Sequence, residues 1–375
     1  MSQREARTTT ETVRNERAEQ YFVATQWQLM WRKFTRHRLA VTGGVVLVVF
    51  YLWGLFPEFL SPSVPSERVR ELAYSPPQRV RFVHEGRIRG PFVYGNRQSI
   101  DPLTLQKLYT PDTTDLRPIR LFVRAAEYRL WGLIPGNIHL FGSDRGPVML
   151  LGADSFGRDL FTRNLYAARV SLSVGLVGVV LSFVLGLVLG GISGYYGGMV
   201  DNVIQRIIEF LISLPTIPVW MGLAAALPPE WGSIQIYFGV TIILSIVGWT
   251  GLARVVRGKL LELREADFVM AARIAGARQR RIIAAHLMPS FMSYLIVHLT
   301  LAIPRMILGE TALSFLGLGI RPPAVSWGTL LQDAQNIQTV VLYPWLMFPA
   351  LFVVVAVLMF NFLGDGLRDA ADPYK

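Results

Sequence analysis

Cysteine is absent from this 375-residue chain, which excludes disulfides, thiolate nucleophiles and cysteine-held metals. Other chemistry is missing with it. The five histidines, His37, His84, His139, His286 and His298, are scattered, without the His-Glu-x-x-His or paired spacing that puts two imidazoles on one metal. A phosphate-cradling loop needs Gly-x4-Gly-Lys-Ser/Thr, yet the single Gly-Lys pair, Gly258-Lys259, is followed by Leu260 and has Ala253 at the first glycine position. The chain is therefore expected to bind no metal or cofactor and to catalyse no reaction itself. Charge is thin too: only 17% of residues are charged, against 52% hydrophobic, too apolar for an ordinary soluble domain.

What the chain has is long uncharged runs. A bilayer core of about 30 Å needs roughly 20 helical residues. Runs of that kind are Leu39 to Pro57, Val170 to Val200, Phe210 to Pro229, Trp231 to Ala253 and Ala334 to Gly364. A sixth, Ile282 to Pro304, lacks Asp, Glu, Lys and Arg but contains His286 and His298, and Arg305 and Glu310 follow at once. The fold expected is an all-α polytopic membrane protein with six transmembrane helices.

Net charge is +11, and its distribution excludes a nucleic-acid partner. The excess is divided among three segments, two of them beside spans, with no single basic face to follow a phosphate backbone. Contact with the lipid bilayer is the plainer account. The first 38 residues carry eight basic and four acidic residues, ending in WRKFTRHR before the first span. By the positive-inside tendency this tail is cytoplasmic. Six spans then put the loop 254–289, with eight basic and three acidic residues, and the C-terminal tail inside as well. The polar first forty residues do not read as a cleavable signal peptide.

Four parts follow: a cytoplasmic tail (1–38), a first span (39–59), an extracytoplasmic insertion (60–152) and a five-span core (153–375) with a cytoplasmic loop at 254–289. Short alternating stretches, Val80-Arg81-Phe82-Val83 and Arg87-Ile88-Arg89 around Glu85-Gly86, predict a hairpin, so the insertion is expected to contain β structure. From Gly157 the sequence GRDLFTRNLYAARVSL reads as an amphipathic helix lying at the membrane surface. Near the spans, Arg206 and Glu209 are spaced to pair on one helix face, and Arg305 and Glu310 fall at the outer end of the fifth span. All four are candidates for the pathway or its gate.

The polar segment Glu262 to Pro289, ELREADFVMAARIAGARQRRIIAAHLMP, is set between two apolar runs. If it is helical from Asp267, then Phe268, Ala271, Ala272 and Ala275 share a face made of one aromatic knob and three small residues. Gly276 suits the helix C-cap, and the stretch after it ends at Pro289. A short helix of this kind fits a groove in a soluble partner or lies on the membrane surface.

These residues resemble the EAA loop of the permease subunits of ABC importers: Ala271, Ala272, Gly276 and Pro289 match, whereas Met270 stands where the pattern has Glu, with Glu265 and Asp267 nearby but out of register. Further pieces resemble the C-type branch of dipeptide and oligopeptide permeases: Gly152-Ala-Asp154 to Gly157-Arg158-Asp159, ALSFLGLG from Ala312 to Gly319, Pro322-Pro323 with Ser326-Trp327-Gly328, and FNFLGDGLRDAADP near the end. The likeness covers Trp31 to Pro57 and nearly everything from Gly152 onward, but not the insertion. It implies a type I importer permease in the cytoplasmic (inner) membrane, partnered by a B-type permease subunit, two ATPases that bind ATP and Mg, and an extracytoplasmic solute-binding protein. Glu265, Asp267, Phe268, Ala271, Ala272, Arg273, Gly276 and Pro289 would form the ATPase-docking coupling helix. Peptides are the expected solute, with oligosaccharides or nickel on the same scaffold as alternatives. An ion-coupled secondary transporter would show midplane acids and an internal repeat, which are not evident.

Overall fold

The computed structural model describes residues 26–100, 102–103, 107–263, 265–278, 281–282 and 291–371. Its principal helices are α1 (Gln26–Arg36), α2 (Arg38–Leu55), α3 (Leu160–Tyr196), α4 (Gly198–Ser213), α5 (Thr216–Ala225), α6 (Ser233–Leu263), α7 (Asp267–Ile274), α8 (Met292–Phe315) and α9 (Phe348–Ala371). Helices α2, α3, α6 and α8 and the segment Pro344–Ala371 are each long and apolar enough to cross a membrane. Helices α4 and α5 pass the same test only as a pair bent by 88°.

That bend corrects the expectation of a straight span from Phe210 to Pro229. Pro215 disfavours helical geometry at Leu214, whose ψ is 138°, so the helix stops and restarts in a new direction. Boundaries shift elsewhere as well. Among the described residues the fifth apolar helix runs Met292–Phe315, past the end expected at Pro304, and the last candidate span starts at Pro344, because 334–343 is taken up by short elements, including Ile337–Leu342.

The approach to the second span is not a surface helix. It is the first part of α3, with Leu160, Thr162, Arg163, Asn164 and Leu165 all buried. Its arginines find partners inside the protein. Asp154 accepts from Arg158 Nε at 2.7 Å and also from Arg163, while Arg169 is bidentate to Glu58 at 2.7 Å and donates to the Gly54 and Leu55 carbonyls. Neutralised in this way, the cationic side of the helix has no need of water or lipid headgroups.

The core is built on α3, which packs most extensively against α6 and also meets α2 and α8; α9 closes the bundle on α2 and α8. Close approach of α3 to α6 depends on small residues. A Cβ at Gly190 would lie 2.5 Å from the Ala253 carbonyl oxygen, and one at Gly194 would lie 2.8 Å from that of Arg257. Arg257 of α6 also pairs with Asp201 of α4, which accepts from Ser193 of α3, so the α3–α4 turn is locked onto α6.

The insertion is β structure: a three-stranded antiparallel sheet, β1 (Arg81–His84), β2 (Arg87–Ile100) and β3 (Lys107–Pro118), and a two-stranded one, β4 (Arg120–Leu130) and β5 (Ile134–Gly142). The hairpin expected at Glu85-Gly86 is present. His84 pairs with Arg87, and the two turn residues take φ of 50° and 74°, the left-handed pair that matches strand twist.

Candidate functional site

Helix α7 is only eight residues long, too short to persist alone in water, so its surroundings hold it. Val269 is buried in a cluster with Leu252, Val256 and Leu260 of α6 and Leu295 of α8, with Ala272 and Ala277 packed at its edge. The C-terminus closes with the backbone pattern anticipated at Gly276. The Gly276 amide donates to the Arg273 carbonyl and the Ala277 amide to that of Ala272, both at 3.0 Å, with Gly276 at φ 75°. This is a Schellman cap, and it fixes where the helix stops.

The outward side carries Phe268, Met270, Ala271, Arg273, Ile274 and Ala275, all exposed, with Ile274 87% accessible. Phe268, Ala271, Ala272, Ala275 and Gly276 border an open concavity of about 1000 Å³, which Arg278 and Arg281 also line. The face picked out by spacing is therefore largely the open one, while Val269, which spacing did not select, is the anchor. Glu265 and Asp267 are exposed before and at the first turn. Pro289 lies outside the described residues.

The four pathway candidates fall in three places. Arg206 and Glu209 form an exposed i, i+3 pair at 2.8 Å on α4. Arg305, exposed on α8, lines a cavity of about 700 Å³ between α6, α8 and α9, where Lys259, Tyr294, His298 and Arg368 are also found. Glu310 does not line open space in this chain. It is fully buried, accepts from Ser171 Oγ of α3 at 2.9 Å and Ser314 Oγ at 2.7 Å, and those serines accept in turn from the Trp327 and Ile320 amides. This knot joins α3, α8 and the turn Trp327–Leu330. Sequence reading missed the knot, although Ser314 of ALSFLGLG and the tryptophan of SWG both take part in it. Among the described residues no group of three or more His, Cys, Asp or Glu could hold a metal.

Residues 186–374 match the family described as binding-protein-dependent transport system inner membrane component, and residues 25–77 match the N-terminal TM domain of oligopeptide transport permease C. The matches leave between them 78–185, which holds the five strands of the described residues. The chain is 42% identical over 224 residues to the dipeptide transport system permease protein DppC of Bacillus subtilis (strain 168), covering 59% of this chain and 68% of that protein. It is 42% identical over 223 residues to the oligopeptide transport system permease protein OppC of Haemophilus influenzae, covering 59% and 69%. A putative peptide permease protein of Brucella ovis is 38% identical over 251 residues, covering 66% and 81%. In three dimensions the chain is similar over 56% of its length to a chain of the MetNI methionine ABC transporter, with a TM-score of 0.45 and 18% identity, too distant a likeness to carry more. With about half of its length inside the first match, α7 and all four candidate pathway residues included, the chain belongs to the binding-protein-dependent transport system inner membrane component family.

Proposed function

We propose that this chain is the C-type, membrane-spanning half of an ATP-driven importer of di- or oligopeptides, with α7 as the helix that docks on a cytoplasmic ATPase. The peptide assignment is supported by the names of its relatives, a dipeptide and an oligopeptide permease. In this reading α4 and α5 together make the third of six spans, and both termini are cytoplasmic. A B-type permease subunit supplies the other half of the pathway, two ATPases bind ATP and Mg, and a solute-binding protein delivers cargo from outside. The chain itself does no chemistry.

The observation that carries the docking assignment is the two-sidedness of α7. Its inner face places Val269 in an apolar cluster shared with residues of α6 and α8, and its outer face offers Phe268 and small residues around a concavity. A rigid push on such a helix passes directly to two helices that cross the membrane, biasing a two-state pathway from the cytoplasm. Arg305 belongs in this reading to the pathway wall. Glu310 serves instead to hold α3 and α8 in register.

Replacing exposed Ala271 by Arg tests the assignment in vesicles containing the full complex. The expected result is loss of ATP-dependent peptide uptake with normal membrane insertion and unchanged thermal stability. Undiminished uptake would refute the docking role.

A further inference from the structure

The β4–β5 hairpin ends at the level of a span. Its three-residue loop, Trp131-Gly132-Leu133, lies against the last turn of α2: the Trp131 indole donates to the Leu55 carbonyl at 2.7 Å, and its ring packs on Phe56 at 5.7 Å between centroids. Trp131 takes φ of 52°, a left-handed conformation that a bulky side chain adopts only when its surroundings impose it. Phe122, likewise left-handed at φ 54°, sits 6.3 Å from Phe59. Leu133 and Ile134 make none of these contacts and are 79% and 54% exposed.

Below the hairpin, α2 presents Val45, Val48, Leu52 and Leu55, all exposed and on one face by their spacing. The apolar surface is thus continuous from the middle of α2, through Leu55 and Trp131, to Leu133 and Ile134. Polar groups appear at the same height: Arg169 meets the Leu55 carbonyl and Glu58, and Arg129 is exposed just behind the tip. An aromatic ring with its N–H satisfied, with exposed apolar residues and guanidinium groups both close by, is the combination found at a membrane–water boundary.

We infer that the β4–β5 hairpin is a lipid-seated wedge, inserting Leu133 and Ile134 into the bilayer leaflet that surrounds the end of α2 and so fixing the insertion at the membrane surface. Of the ways the insertion could be used, this one gives an occupant for its exposed apolar tip: lipid, in continuity with the outward face of the span. The inference rests on α2 being a span, and the test reads that separately.

Because the chain has no cysteine but nine tryptophans, a single nitroxide label is cleaner than tryptophan quenching. Leu133→Cys, Ile134→Cys and, as the span control, Val48→Cys are each labelled in the full chain in nanodiscs of phosphatidylethanolamine and phosphatidylglycerol. Power-saturation measurements then compare collisions with oxygen, which concentrates in lipid, and with a water-soluble nickel chelate. The expected result is preferential oxygen accessibility at all three sites, deeper at Val48 than at Leu133. Nickel accessibility at Leu133 and Ile134 with oxygen accessibility at Val48 overturns the wedge and leaves the span standing. An immobilised label at 133 reached by neither reagent overturns it in favour of a protein neighbour. Nickel accessibility at Val48 would remove the span on which the wedge depends.

Discussion

Shortening Val269 to Ala separates the anchoring of α7 from its docking face. The side chain is fully buried, in one cluster with Leu252, Val256, Leu260 and Leu295, and lies on the opposite side of the helix from exposed Phe268, Ala271 and Ala275. Removing two buried methyl groups forfeits roughly 1.6 kcal/mol at about 0.8 kcal/mol each, and a partly uncollapsed cavity brings the total to about 2 kcal/mol. At about 1.4 kcal/mol per tenfold, the ratio of undocked to docked α7 rises roughly 30-fold. The amides that report this are those of Ala275, Gly276 and Ala277, which donate to Ala271, Arg273 and Ala272 and are released when the helix leaves its seat. Hydrogen exchange followed by mass spectrometry on the chain in nanodiscs should show them exchanging up to about 30-fold faster, the remainder of α6 being unaffected. ATPase binding should persist while peptide moved per ATP falls, because the lever now slips against α6 and α8. Exchange at the wild-type rate would refute the claim that the cluster holds α7. Faster exchange with unaltered coupling would refute the lever.

Two further perturbations address packing and charge. Gly190→Leu should destabilise the chain by about 1–3 kcal/mol or more, since its Cβ would meet the Ala253 carbonyl at 2.5 Å, whereas Gly191→Leu, with nothing within 4 Å, should leave thermal unfolding unchanged; equal effects would refute the close α3–α6 contact. Asp159 caps α3 through the Phe161 and Thr162 amides, and burial pushes its carboxyl up to about 6 from an ordinary 3.8. Its folded form thus holds a proton that the unfolded chain has already lost, so this contribution to stability is complete below about pH 4 and disappears as the pH rises through 6. Asp159→Asn, which keeps an oxygen for the cap, should exceed wild type by up to about 3 kcal/mol at pH 8 and lose most of that advantage near pH 4. A pH-independent difference in thermal unfolding would count against it.

Local features were the legible ones. The turn at Glu85-Gly86 and the cap at Gly276 each depend on a few adjacent residues and on one backbone geometry that glycine supplies. Pro215 stood in plain sight within the third apolar run, but hydropathy registers greasiness and not direction, so a bent pair reads as a straight span. Charged residues were the hardest to place. Arg163 and Arg169 look from sequence like the polar side of a surface helix, because Asp154 meets Arg163 through the turn before α3 and Glu58 reaches Arg169 from across the insertion, 111 residues away. Glu310 was a candidate for the pathway or its gate at the outer end of a span, and two serines 139 residues back and four residues on seat it in the interior of this chain.

The class of the protein, the approximate spans, the β character of the insertion and the short helix in the loop 254–289 were all readable without a structure. Each follows from hydropathy or from contacts a few residues apart. Tertiary structure alone decided which ionisable groups are buried and paired, that Val269 anchors α7, and that Trp131 rests on the end of α2, 76 residues away. Those outcomes depend on which surfaces the folded chain brings together, and a linear pattern of apolar and polar residues holds no record of that distance.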